Sequence, residues 1–297
     1  MRRFSAILLV FALLLTIIPV TATCEGAPPR IVATIFPPFD FARTITGGEA
    51  ELTMLLSPGA EAHTYEPTPS DILEIQNCDL FLMIGGESEA WADRILAGLD
   101  TSSMTIVRLM GSVTPMMDED GDDFDEHIWT AMPNAVAMLE AVADALCEIR
   151  PSSAEFYHQN ATGALHELAA LDEAFRDLAE NSARRLIVIG DRCPFRYFEQ
   201  KYGIETFAAL SGCGAEMEPS TVTIFELIQL ILDKHIPVIF TIEFSNGRIA
   251  RTLSEETGAE ILTLHSGHNL SKDDLDAGVT FLDVMNQNLE NLRVALN

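Results

Sequence analysis

The sequence predicts an α/β protein of two lobes, each a parallel sheet with helices on both faces, joined by a long backbone helix. Three observations carry this. Short apolar runs rich in β-branched residues alternate with helix-length amphipathic segments, first over residues 31–109 and again over 185–296. Between the two series, the segment after Pro151 runs to Ser182 with helical periodicity, no further proline and one glycine, Gly163. Finally, the chain of 297 residues exceeds what one hydrophobic core usually covers.

The elements follow in order. Ile31–Phe36 reads as a buried strand ended by a turn at Pro37-Pro38. A helix to Gly47-Gly48 and a strand at Leu52–Leu56 follow. Ser70–Ile75 opens a helix with Ser70 as its cap; Leu80–Ile84 is a strand before Gly85-Gly86; Trp91–Leu99 is helical; Thr105–Leu109 is a strand. Asn134–Ile149 is a helix that stops before Pro151. The next ~30 residues, at 1.5 Å each, make a rod of about 45 Å, long enough to cross between lobes. The second series is strand Arg185–Ile189, helix Phe195–Tyr202, strand Thr206–Leu210, helix Val222–Lys234, strand Val238–Thr241, helix Gly247–Gly258, strand Glu260–Leu264 and helix Phe281–Leu296. The expected domains are thus residues 28–150, a linking helix at 151–182, and residues 183–297. Ligands of such lobes sit at the carboxyl ends of the strands, facing the cleft.

The N-terminus indicates export. Arg2 and Arg3 precede an apolar stretch from Ala6 to Val20, and Val20-Thr21-Ala22 offers small residues for cleavage, so residues 1–22 read as a signal peptide. The stretch is shorter than the roughly 18 residues of a spanning helix. The product is expected in the periplasm or at the cell surface, with a lipid anchor at Cys24 as the alternative. Removing residues 1–22 takes two arginines and no acid, leaving 16 basic and 45 acidic residues and a formal charge of −29. That acidity argues against nucleic acid and anionic membrane as partners and suits cations. Cys78 and Cys147 sit in apolar contexts and read as packing residues. Cys193 and Cys213 follow second-lobe strands; they are candidates for a disulfide, which export permits, for thiolate ligands, or for unpaired thiols.

Of seven histidines, three groups stand at cleft-facing strand ends. His63 lies in the loop Pro58-Gly59-Ala60-Glu61-Ala62-His63-Thr64-Tyr65-Glu66-Pro67, framed by residues unsuited to a core. His127 ends an acidic run that begins at Asp118 and precedes a helix. His265 follows the strand Ile261–Leu264, with His268 three residues later. His158 and His166 fall in the rod and His235 closes a helix, so these read as solvated or capping residues.

The string PGAEAHTYEPTPSDI at 58–72 resembles the first ligand loop of the metal-binding solute receptors of zinc and manganese ABC importers, and DEHIWTAMPNA at 125–135 is similar to their second ligand motif. IVATIFPPFDFARTITGG, CDLFLMIGGESEAW, RYFEQKYGIETFAAL and MEPSTVTIFELIQLILDKHIPVIFTIEF resemble further stretches, so the likeness covers nearly all of the exported chain. It implies a metal site in the interlobe cleft with four side-chain ligands, little hinge motion, a monomer, and an importer permease as partner. His63 and His127 match the two first-lobe ligands, and His265 takes the place of an aspartate that supplies the fourth. The third position departs from the pattern. Aligning on Phe195 and Tyr197 puts Arg192 there, and a guanidinium has no acceptor for a cation. Asp191 is the preferred replacement, with Glu216 or Glu243 as alternatives.

Three imidazoles and one carboxylate favour Zn2+ as the transported ligand, with Mn2+ or Fe2+ as alternatives. The acidic run 118–126 is either a solvated loop or a collector of cations near the cleft. Two rival functions remain: a zinc-dependent hydrolase, for which no HExxH-type signature is present, and a metal-linked adhesin. The expectation is a binding protein, not an enzyme.

Overall fold

The computed structural model describes residues 27–118, 121, 123–210 and 218–297. The expected signal segment with Cys24, part of the acidic loop, and both Cys213 and Glu216 lie outside the described residues. The first lobe contains β1 (Arg30–Ala33), α1 (Phe36–Thr46), β2 (Glu51–Met54), α2 (Pro69–Asn77), β3 (Leu80–Met83), α3 (Ala90–Leu96) and β4 (Thr105–Arg108). Helices α4 (Met132–Ile149) and α5 (Ala154–Asn181) follow. The second lobe contains β5 (Leu186–Arg192), α6 (Arg196–Tyr202), β6 (Glu205–Leu210), α7 (Thr221–Lys234), β7 (Val238–Thr241), α8 (Arg248–Thr257), β8 (Glu260–Thr263), α9 (Lys272–Asp276) and α10 (Phe281–Leu296).

The two sheets have the same order, β2-β1-β3-β4 and β6-β5-β7-β8, and every pair is parallel. Strand β3 is buried along its whole length, because helices cover both faces of the sheet and leave no alternation. Helix α5 buries Tyr157, Ala161, Ala164, Leu168, Leu171, Phe175 and Leu178, one stripe at alternating steps of four and three. This stripe packs on α4, α1 and α10. The result is one core cluster that contains Phe36 and Trp129 of the first lobe, Phe175 of the rod and Phe240 and Phe281 of the second lobe.

The lobes are also tied by polar bonds. Asp40 of α1 accepts the backbone N–H of Phe281, the first residue of α10, at 2.6 Å, and the Arg43 guanidinium donates to the Val279 carbonyl at 2.6 Å.

Three local differences from the sequence reading have physical causes. β1 ends at Ala33, and Pro37-Pro38 occupy the first turn of α1, where their missing N–H groups cost nothing. The cap of α2 is Thr68, in a capping box with Asp71, because Pro69 rather than Ser70 takes the first helical position. β5 runs on past Ile189 to Arg192 through a register shift, which places Asp191 and Arg192 on the strand rather than in the loop beyond it.

Candidate metal centre

His63, His127 and His268 converge between the lobes: one ring nitrogen from each lies within 4.8 Å of the other two. The ring centroids are 4.8–5.6 Å apart.

His63 sits in a short 3-10 turn, Ala62–Thr64, whose cap is the Glu61 carboxylate accepting the His63 N–H at 3.4 Å. The second lobe holds this loop. The Asn269 amide donates to the carbonyls of Ser57 at 2.8 Å and Ala60 at 2.9 Å, and Gly59 N–H donates to Leu270 at 2.8 Å. His127 is only 2% exposed. Asp125 accepts both its backbone N–H and its Nδ1, each at 2.8 Å. Burial pulls the Asp125 carboxyl up, but these bonds, the His127 charge and nearby Arg196 outweigh it and hold it below its ordinary value. In the neutral ring an ionised Asp125 keeps the His127 proton on Nδ1, so Nε2 carries the lone pair.

His268 lies beyond a turn made by Gly267, whose φ of +84° puts it in the left-handed region. A Cβ there would also come within 3.2 Å of Trp129 Nε1, which donates to the Ser266 carbonyl at 2.8 Å. The turn therefore needs glycine. It swings His268 against the edge of Trp129, at a centroid distance of 4.9 Å. Burial first, then His127, His63, Arg192 and His265, push the His268 imidazole well below its ordinary pKa, so it is neutral at neutral pH. A neutral ring has no proton to displace before it ligates.

Of the expected donors, His63 and His127 are brought together, and His265 and Asp191 stand outside the group. His265 faces its own turn: its N–H donates to Asn288 Oδ1 at 2.8 Å and its Nδ1 accepts the Gly267 N–H at 3.0 Å. Asp191 accepts the Arg192 N–H at 2.8 Å and the Ser245 hydroxyl, a consequence of the extension of β5. The sequence places His265 first after its strand; only the left-handed Gly267 makes His268 the residue that reaches the cleft. The His-Ser-Gly-His spacing was the available signal.

Glu61 and Arg192 line the same cavity of about 20 Å³, with Glu243, Ser266 and the three histidines. Arg192 Nη2 reaches across it to Glu61 Oε2 at 2.6 Å. Burial raises the Glu61 carboxyl, but Arg192 and then His63 more than offset it, so its pKa is lowered. Arg192 thus turns to the Glu61 carboxylate.

What can such a centre do? Zn–N bonds of about 2.1 Å in tetrahedral geometry put ligand nitrogens about 3.4 Å apart. A cluster already within 4.8 Å needs only a small contraction to hold such an ion. Imidazole donors suit zinc, copper, iron or nickel rather than magnesium or calcium.

Known proteins of this build bear on the reading. The AdcA zinc-binding lipoprotein of Streptococcus pneumoniae is 27% identical over 277 residues; the match covers 89% of this chain and 55% of AdcA, so the chain spans about half the length of that relative. The high-affinity zinc uptake system protein ZnuA of Bacillus subtilis is 24% identical, with 93% of this chain and 90% of ZnuA covered. The crystal structure of the Zn(II)-bound ZnuA-like domain of S. pneumoniae AdcA superposes with a TM-score of 0.78 at 27% identity, covering 90% of this chain and 98% of that domain. The profile of the ZnuA family, described as zinc-uptake complex component A, periplasmic, matches residues 31–295. The chain belongs to the ZnuA family.

Proposed function

We propose that this protein captures a divalent transition metal, zinc foremost, on His63, His127 and His268, and hands it to the membrane permease of an ABC importer. The convergence of three imidazole nitrogens within 4.8 Å between the lobes carries the reading. Zinc is the cargo here. Mn2+ and Fe2+ are the alternatives within the same class, and the all-nitrogen character of the three described donors favours zinc over manganese.

The chain's own residues do three things. Asp125 holds His127 with its Nδ1 protonated. Asn269 and Gly59 fasten the His63 loop to the second-lobe loop that bears His268. Trp129 walls one side of the imidazole cluster. The same reading takes residues 1–22 as a signal peptide, residues 28–150 and 183–297 as the lobes and 151–182 as the link, in an exported monomer, at the cell surface or in the periplasm. It describes a binding protein rather than a hydrolase.

Zinc affinity measured by chelator competition tests the assignment. Changing His63, His127 or His268 to Ala should each weaken binding more than about 100-fold, beyond the cost of losing an outer hydrogen-bonding partner. His265→Ala and Asp191→Ala should bind within a few-fold of the parent. The reverse pattern would return the site to His265 and Asp191.

A further inference from the structure

The three imidazoles are uncharged ligands, and among the described residues no carboxylate oxygen joins their group. One carboxylate nevertheless reaches the group through an intermediary. Glu243, just beyond β7, has a side chain only 8% exposed. Its Oε2 accepts the Ser266 backbone N–H at 2.7 Å, and its Oε1 accepts the Ser266 hydroxyl. A hydroxyl has one proton. Having given it to Glu243, Ser266 Oγ can only accept from His268 Nδ1, 2.7 Å away. Nδ1 must therefore carry the imidazole proton, and Nε2 must carry the lone pair.

We propose that Glu243 and Ser266 are positioning residues for metal capture, a carboxylate–hydroxyl–imidazole chain that holds His268 as the Nδ1–H tautomer. The proposal rests on the reading of the imidazole group as the metal site. Asp125 does directly for His127 what Glu243 does through Ser266 for His268. In both cases the anion lies behind the ligand, where it raises the basicity of the ring without occupying a coordination position. The chain also distinguishes two neighbouring histidines. Glu243 Oε2 is 3.6 Å from His265 Nδ1, beyond a hydrogen bond, and Gly267 N–H already donates to that nitrogen. The bond pattern thus leaves His265 Nδ1 as an acceptor and makes His268 Nδ1 a donor.

Two substitutions separate this role from simple support of the loop. Ser266→Ala removes the hydroxyl and keeps the backbone bonds of residue 266 to Glu243 and Trp129. In Glu243→Gln the amide oxygen can still accept the Ser266 N–H. Its NH2 group then donates to the Ser266 hydroxyl, and that hydroxyl turns its proton toward His268. The measurement is 15N NMR of the His268 ring in the metal-free protein, beside zinc Kd by chelator competition. The parent should show the Nδ1–H form, Ser266→Ala a mixture, and Glu243→Gln the opposite Nε2–H form. Both variants should bind zinc about 10- to 100-fold more weakly, the range seen when outer partners of a metal ligand are lost. An unchanged tautomer in Glu243→Gln overturns the inference, whatever its affinity, and leaves metal capture standing if His268→Ala still abolishes tight binding. A parent-like zinc Kd in His268→Ala overturns both.

Discussion

Single side chains decide how this site works, and the loop from His265 to Leu270 shows how. Its two histidines are three positions apart, yet one reaches the imidazole group and the other is absorbed by Asn288 and Gly267. Gly267 makes the difference through a backbone conformation that other residues rarely adopt. A second buried side chain has consequences for stability. Glu89 is 5% exposed and its Oε2 accepts the Gly85 N–H at 2.7 Å. Burial raises this carboxyl to about 7 from an ordinary 4.5, with Glu126 adding to the rise. The folded state therefore binds its proton more tightly than the unfolded state does. The stability it confers is complete below pH 4.5 and is lost as pH rises through about 7. Glu89→Gln, a neutral isostere, should flatten the dependence over that window and raise the denaturation midpoint at pH 8 above that of the parent. Urea titrations at pH 5 and pH 8 check this; equal slopes with pH in both proteins would refute it. The imidazole group was only partly legible in the sequence. Position marked His63 and His127 as candidates, and the resemblance of their loops to known ligand motifs singled them out. The choice between His265 and His268 depends on one φ angle that the sequence does not display beyond the glycine itself.

Among the elements, apolar runs marked the strands well, because a strand buried on both faces has no polar residues to obscure it. Helix starts were harder. Pro37-Pro38 reads equally as a strand terminator or as a first helical turn, and packing of Phe36 and Phe41 into the core chose the second. The end of β5 was misjudged at Ile189 for a related reason. Gly190 resembles a strand stop, yet it is where the strand passes the backbone of Ala250 on α8, so closely that a Cβ would lie 2.7 Å from its Cα. That extension commits Asp191 to Ser245. Helix α10 links the lobes through its N-terminus, where Thr280 and Asp283 form a capping box and Asp40 of the first lobe accepts the next N–H. Thr280→Ala should cost about 1 kcal/mol, the usual loss of a cap. Denaturant unfolding of the metal-free protein measures it; a change below a few tenths would mean that Asp40 alone suffices.

At the scale of the whole molecule, one core cluster runs through both lobes and the rod. The two lobes are also fastened at the site itself, by Asn269 to Ser57 and Ala60, by Gly59 to Leu270, and by Trp129 to Ser266. The imidazole of His268 belongs to the second-lobe chain, but its loop is bonded to the first lobe on both sides of it. The three rings are therefore held close in the metal-free fold, and on the proposed reading metal capture would need little reorganisation of the backbone. The formal charge of −27 favours the approach of a cation. The central claim is that His63, His127 and His268 together hold the metal. A crystal structure of the zinc-loaded protein, with anomalous scattering collected at the zinc edge, tests it most directly. The account predicts one strong anomalous peak about 2.1 Å from a ring nitrogen of each of these three histidines, with Nε2 as the donor in His127 and His268. A peak coordinated by His265 or Asp191 in place of His268 would contradict it.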